Sequence, residues 1–186
     1  MHNADSPIYV CLDLEMNQPS KKIIEIGVVV ANVKERKILA KQHFFVNPNE
    51  QLHWMIKRLT SIRQSDVDSA KDLLGAYKDL CLFLAPFKFR KLIIIWGGND
   101  FDILKSQLDQ ARGEFKWIFG DRCIDAQTIH LNLALAKGEP CSGGLSKALK
   151  KYGLYFKGRK HRAADDAYNT MILWFKMLNR LKRIDK

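Results

Sequence analysis

Apolar residues along this chain follow two different rhythms, and the change comes near residue 65. Ile8–Leu14 reads IYVCLDL, a short apolar run with β-branched residues that predicts a buried strand. Ile23–Ala31 (IIEIGVVVA) predicts a second strand and Ile38–Val46 a third, with Pro48 stopping the sheet. Three strands in succession predict an antiparallel meander. From Ser65 the apolar positions Val67, Ala70, Leu73, Leu74, Tyr77, Leu80, Cys81 and Leu84 recur at helical steps up to Pro86. Leu92–Trp96 (LIIIW) predicts a short central strand, followed by a helix with Phe101, Leu104, Leu108 and Ala111 on one face. Trp117–Ile124 predicts a strand, Ala126–Ala136 a helix, Leu145–Tyr152 a helix ended by Gly153, and Ala164–Leu181 the last helix. A meander followed by alternating helices and strands predicts a mixed α/β sheet with helices on its faces. No repeat or Pro/Gly/Ser-rich linker divides the 186 residues, which fits a single domain over 1–186.

Composition narrows the class. A chain with 47% hydrophobic and 27% charged residues is of globular type, and disorder is excluded. Cys11, Cys81, Cys123 and Cys141 form no CxxC pair, which argues against a zinc site or disulfide framework and for a reducing cytoplasm. MHNADSPIYV is not built as a signal peptide, and the apolar runs are strand-length, so no membrane span is expected. The formal charge is +11, and residues 141–186 hold twelve Lys/Arg against three Asp. A basic end of this kind favours a polyanionic partner, with nucleic acid the commonest.

Three acidic segments carry the chemistry. Asp13 and Glu15 are two apart in a strand, so both carboxylates share a face. Paired carboxylates in an apolar strand repel one another unless a cation lies between them, and oxygen donors suit Mg²⁺ or Mn²⁺. The second segment, Gly97-Gly98-Asn99-Asp100-Phe101-Asp102, follows the central strand. Here Asn99 or Asp100 is placed to cap the next helix, which leaves Asp102 as the expected ligand. In the third, helix phase sets Asp166 with Thr170, Leu173 and Met177 along the buried edge, and Asp165 with Asn169, Ile172 and Lys176. Asp166 is therefore the expected inward acid. His161 precedes this helix in a Gly- and Lys-rich loop.

Taken in order, Asp13-Leu-Glu15, Phe101-Asp102, and His161 with Asp166 five residues on resemble the DEDDh branch of the DnaQ-like 3′→5′ exonucleases. The run from Gly153 to Ala167 is similar to stand-alone RNA-trimming members, of the histone-mRNA/siRNA exonuclease and sporulation-inhibitor types. The resemblance implies an RNase H-like fold with a five-stranded mixed sheet. It also implies two divalent ions, Mg²⁺ with Mn²⁺ able to substitute, on Asp13, Glu15, Asp102 and Asp166, with His161 as general base. Single-stranded RNA or DNA 3′ ends are the implied substrates, RNA favoured, and nucleoside 5′-monophosphates the products. Met16 and Asn17 are expected beside the 3′-terminal nucleotide. Leu59 and Ile62, in a segment similar to the family's Leu-Thr-Gly-Ile, are expected against terminal bases or in helix packing. Arg162 and the basic residues near it are expected to steer the strand in a salt-dependent way. Two rivals stand beside this reading: a non-catalytic binding or regulatory protein on the same fold, and a DNA proofreading exonuclease.

Overall fold

The computed structural model describes residues 7–140 and 144–181. The meander is present: β1 (Ile8–Met16), β2 (Ile23–Asn32) and β3 (Lys37–Phe45) pair antiparallel, with Asp13 opposite Gly27 and Glu15 opposite Glu25. Two three-residue strands complete the sheet. β4 (Ile93–Ile95) lies parallel to β1, β5 (Cys123–Asp125) lies parallel to β4, and the order is β3-β2-β1-β4-β5. The result is the expected mixed five-stranded α/β sheet.

Strand alternation sorts the two faces. Val10, Leu12, Leu14, Ile26, Val28 and Val30 pack on α3 (Leu73–Leu84) and α4 (Asp100–Gln110), through Tyr77, Leu80, Phe101, Leu104 and Leu108. Cys11, Val29, Ala31 and Ile94 face the other way, onto α5 (Ala126–Leu135), α6 (Leu145–Lys151) and α7 (Ala163–Leu181). Each fully buried Leu, Ile or Val contributes about 1.5–3 kcal/mol, so these two layers dominate stability. A third cluster, Ile24, Leu52, Ile56, Ile62 and Val67, sits under α1 (Trp54–Thr60) and α2 (Gln64–Asp68).

Three local expectations change. The helix expected from Ser65 to Leu84 is two helices, because the Asp72 side chain accepts the Gly75 N–H and starts α3 afresh. Helix α1 lies in a stretch with no strong apolar period, since only Ile56 and Thr60 of its residues are buried. The strand expected over Trp117–Ile124 shrinks to β5. Trp117 instead stacks on Tyr77 at 6.1 Å between centroids and meets Phe101 edge-on, which anchors that segment by rings rather than by a ladder. Cys11, Cys81 and Cys123 are free thiols, while Cys141 lies outside the described residues, as do Lys182, Arg183 and Lys186 of the basic end. Among the described residues no helix is long and apolar enough to cross a membrane.

Gly27 governs how α7 meets the sheet. A Cβ there would lie 2.0 Å from the Ala163 carbonyl carbon, so only glycine lets the start of α7 rest on β2. Gly27 is also the ladder partner of Asp13. The same close approach therefore sets Asp166, in the first turn of α7, against the acids of β1.

Candidate active site

Asp13 and Glu15 project from the α7 face of β1, and Asp166 comes down from α7 to meet them. One carboxylate oxygen from each of the three lies within 4.8 Å of the others. Among the described residues no Lys or Arg forms an ion pair with any of these acids. Their electrostatics follow from that. Burial, followed by the charges of Asp100, Asp166, Glu15 and Glu25, holds Asp13 well above the usual carboxylate range. Glu15 is pushed up to about 8 by burial and then by Asp166, Glu25 and Asp100. Asp166 is raised to about 6 by burial, offset in part by hydrogen bonds from the Arg162 and His161 backbone. Partly buried, mutually repelling carboxylates that no Lys or Arg ion-pairs among the described residues are a donor set that a hard divalent cation fits.

The fourth acid differs from the sequence expectation. Asp102 is exposed, and its charge is felt instead at Cys123 of β5. Asp100 is the residue whose charge reaches both Asp13 and Glu15. It is raised to about 6 by burial, offset by a hydrogen bond from the Leu14 backbone. Nor is Asp100 a cap. It is the first residue of α4, and Asn99 holds the N-cap position without a side-chain bond. This placement has a simple cause in helix phase. Asp100 lines up with Leu104 and Leu108, both fully buried, whereas Asp102 lines up with Ser106 and Asp109 on the solvent face. The turn that delivers Asp100 is held by Asp125 at the end of β5. Its carboxylate accepts the Gly97 N–H at 2.8 Å and also starts α5 by accepting the Gln127 N–H. Gly97 has φ 62°, and a Cβ on it would meet Gln127 Oε1 at 2.1 Å.

His161 is exposed beside Asp166, in the left-handed region at φ 59°. Such a conformation is costly for a residue with a Cβ and persists only where the surroundings impose it. They do so on both sides. Upstream, the buried Asn169 side chain accepts the Lys157 N–H at 2.9 Å and donates to the Lys157 carbonyl at 2.8 Å. Asp165 accepts the Arg159 N–H and pairs with Lys41, so it is a clamp rather than a plain surface residue. Downstream, Arg162 reaches both oxygens of Glu25 with its Nε at 3.2 Å and Oε1 with its Nη2 at 2.8 Å.

Glu25 is the acid that the sequence reading passed over. It is fully buried on β2 and holds Arg162, the Ala163 N–H at 3.0 Å and His43 Nδ1 at 2.8 Å. These partners outweigh its burial and bring its carboxyl below the usual range. A glutamate in the otherwise apolar run IIEIGVVVA was the available signal.

Several expected substrate contacts are committed elsewhere. Ile62 is 1% exposed and belongs to the core beneath α1, so its apolar surface is not open to a base. Asn17 is equally buried. Its amide donates to Glu50 and the Gln51 carbonyl, and its oxygen accepts the His53 N–H. Arg162 is spent on Glu25 and lies over the Phe45 ring. Met16 packs partly into the core, while Leu59 remains 48% exposed.

The exonuclease family (RNase_T) matches residues 10–174. ERI1 exoribonuclease 2 of Mus musculus is 24% identical over 90% of this chain and 27% of its own length. The 3′-5′ exonuclease Snipper of Drosophila melanogaster is 29% identical over 84% of this chain and 61% of its own. The chain thus spans about a quarter of the mouse relative's length and under two thirds of the fly protein's. Among solved structures, the nuclease domain of 3′hExo, a DEDDh family member bound to rAMP, superposes with a TM-score of 0.77 at 23% identity. That match covers 95% of this chain and 94% of the other, and it supports the RNase H-like fold. By sequence match and by fold, the chain belongs to the exonuclease family.

Proposed function

We propose that this chain is a metal-dependent 3′→5′ exonuclease that trims single-stranded nucleic acid, RNA in preference to DNA, and releases nucleoside 5′-monophosphates. The observation that carries the proposal is the meeting of Asp13, Glu15 and Asp166 within 4.8 Å, with no Lys or Arg ion-paired to them among the described residues. Two divalent ions, Mg²⁺ or Mn²⁺, are assigned to Asp13, Glu15, Asp166 and Asp100, the last in place of Asp102. When bound, such ions lower the pKa of the attacking water and offset charge on the leaving oxygen.

The chain's own residues do the rest. Asp13 and Glu15 sit on a rigid ladder strand, so their spacing is fixed before substrate arrives. His161, exposed beside Asp166, accepts the proton of the attacking water at an imidazole nitrogen. Glu25, Asp165 and Asn169 hold the loop that carries it. The preference for RNA draws on the mouse relative's description as an exoribonuclease and on the rAMP bound to the 3′hExo domain. A reducing compartment such as the cytoplasm suits the three free thiols.

The test is a time course on 5′-labelled single-stranded RNA and DNA with Mg²⁺, Mn²⁺ or EDTA. A ladder shortening from the 3′ end, faster on RNA and abolished by EDTA, is expected. Internal cuts, or trimming that survives EDTA, would overturn the mechanism.

A further inference from the structure

Two loops, 85–91 and 114–122, meet at the start of β1, the end of the sheet away from Glu15. The Arg90 N–H donates to the Ile8 carbonyl at 2.8 Å, and the Gly120 N–H donates to the Lys91 carbonyl at 2.6 Å. Between these loops and the last turn of α3 opens a cavity of about 320 Å³. Leu84, Phe87, Phe89, Trp117 and Ile118 wall it, and Ala85, Lys91 and Lys116 are its exposed members. Leu82, three residues before Ala85 in helical phase, is 72% exposed and carries apolar surface outward from the rim.

Two properties decide what fits. The first is that the polar groups of the wall are already engaged. The Trp117 indole N–H donates to the Gly120 carbonyl at 3.0 Å, the Ile118 N–H to the Tyr77 hydroxyl at 3.1 Å, and that hydroxyl to the Lys116 carbonyl at 3.2 Å. A nucleobase sunk here would bury its polar edge without partners, which is costly, whereas a hydrocarbon or phenyl group loses nothing. The second is the charge of the rim. Lys88, Lys91, Lys116 and Arg122 are exposed, and none is ion-paired to an acid among the described residues. The acids of the two loops are Glu114 and Asp121 alone. The volume lies at the small end of ligand pockets, so it holds one large side chain rather than a long acyl chain.

We propose that this cavity is a docking pocket for an acidic segment of a protein partner, which inserts one large apolar side chain and sets its carboxylates against Lys91 and Lys116. An apolar anchor seated in a pocket with complementary charge around it is the usual plan of such contacts. The proposal stands apart from the exonuclease reading. Glu15 lies seven residues beyond Ile8 on β1, about 23 Å of extended strand, so a partner held here leaves Asp13, Glu15 and Asp166 uncovered.

The test is an amide-detected NMR titration of the full chain with the acetylated peptide Asp-Asp-Phe-Asp-Asp. The Trp117 indole and the Trp117 and Ile118 amide resonances are expected to shift saturably, and those of Asp13 and Glu15 to stay in place. Serine in place of the probe's phenylalanine should remove the shifts, and added salt should weaken them. Lys91→Glu combined with Lys116→Glu is expected to weaken binding by about 10-fold or more. Ala85→Trp, which fills the mouth with a ring while keeping both lysines, should weaken it likewise. Parental melting temperatures for both variants would show that the fold is kept. No saturable shift at Trp117 with probe up to about 5 mM would overturn the pocket. So would equal binding by the serine probe or by either variant. Shifts at Trp117 produced by oligo(U) or dodecanoate in preference to the peptide would overturn the acidic-segment assignment and give the cavity to nucleic acid or lipid. None of these readouts uses trimming, so failure of the pocket and failure of the exonuclease reading are distinguishable.

Discussion

Glu15 and Glu25 stand opposite each other on adjacent strands, and their surroundings treat them in opposite ways. Glu25 is the more deeply buried, yet its carboxyl lies below the usual range, because Arg162, His43 and the Ala163 N–H all point at it. Glu15 is pushed up to about 8, first by burial that no built-in cation offsets and then by the charges of Asp166, Glu25 and Asp100. Burial raises both, so it is the partners that separate them. What separates a structural acid from a ligand-binding one here is whether the fold supplies the cation. Glu25 has its cation built in, whereas Glu15, Asp13, Asp100 and Asp166 are ion-paired to no Lys or Arg among the described residues, which is what the proposed metal site requires.

The largest effect should come from breaking the satisfied side. Glu25→Ala strands a half-buried Arg162 and frees the start of α7. A loss of about 3–5 kcal/mol in denaturant-measured stability is expected, with activity falling because the histidine loop loses its downstream anchor. Little change in the unfolding midpoint would mean that the Glu25 network is ornamental. Glu15→Gln sharpens the contrast, because it removes a repelling charge. The metal-free variant should unfold later than the parent at pH 8, while trimming is lost. The same residue type at opposed ladder positions would then give stability changes of opposite sign.

A smaller and graded effect is the pH dependence of the metal-free protein. Glu15 at about 8 and Asp100 and Asp166 at about 6 hold protons in the folded state that ordinary carboxylates have already released in the unfolded chain. The folded state therefore binds more protons, and the contribution of these groups to stability falls as pH rises from about 4 to about 8. Thermal melts in EDTA should show that decline, and saturating Mg²⁺ should flatten it. A melting temperature equally pH-dependent with and without Mg²⁺ would break the link between the unpaired acids and a cation.

Much of this was legible in the chain. The meander followed from three β-branched runs, Asp13 and Glu15 from a two-residue step, and Asp166 over Asp165 from helix phase. Applied to α4, that same phase argument would have chosen Asp100. Capping preference pointed to Asp102 instead, and Asn99 then occupies the cap position without using its side chain. Helix α1 was hidden because its apolar residues face outward, so no buried period marks it. The hydrogen bonds that the His53 N–H donates to Asn17 and the Arg159 guanidinium donates to Ser61 join residues 36 or more apart in sequence, and no local pattern announces such pairs.

Asp100 and Asp102 offer the sharpest single measurement. Mn²⁺ binding by calorimetry and 3′ trimming of labelled single-stranded RNA should be followed side by side on Asp100→Asn and Asp102→Asn. Asp100→Asn is expected to weaken Mn²⁺ binding and lower kcat by about 10³-fold or more, and Asp102→Asn to leave both near the parent values. Loss of both properties in Asp102→Asn, with Asp100→Asn unaffected, would contradict the assignment of the unpaired acid cluster as the metal-holding catalytic centre.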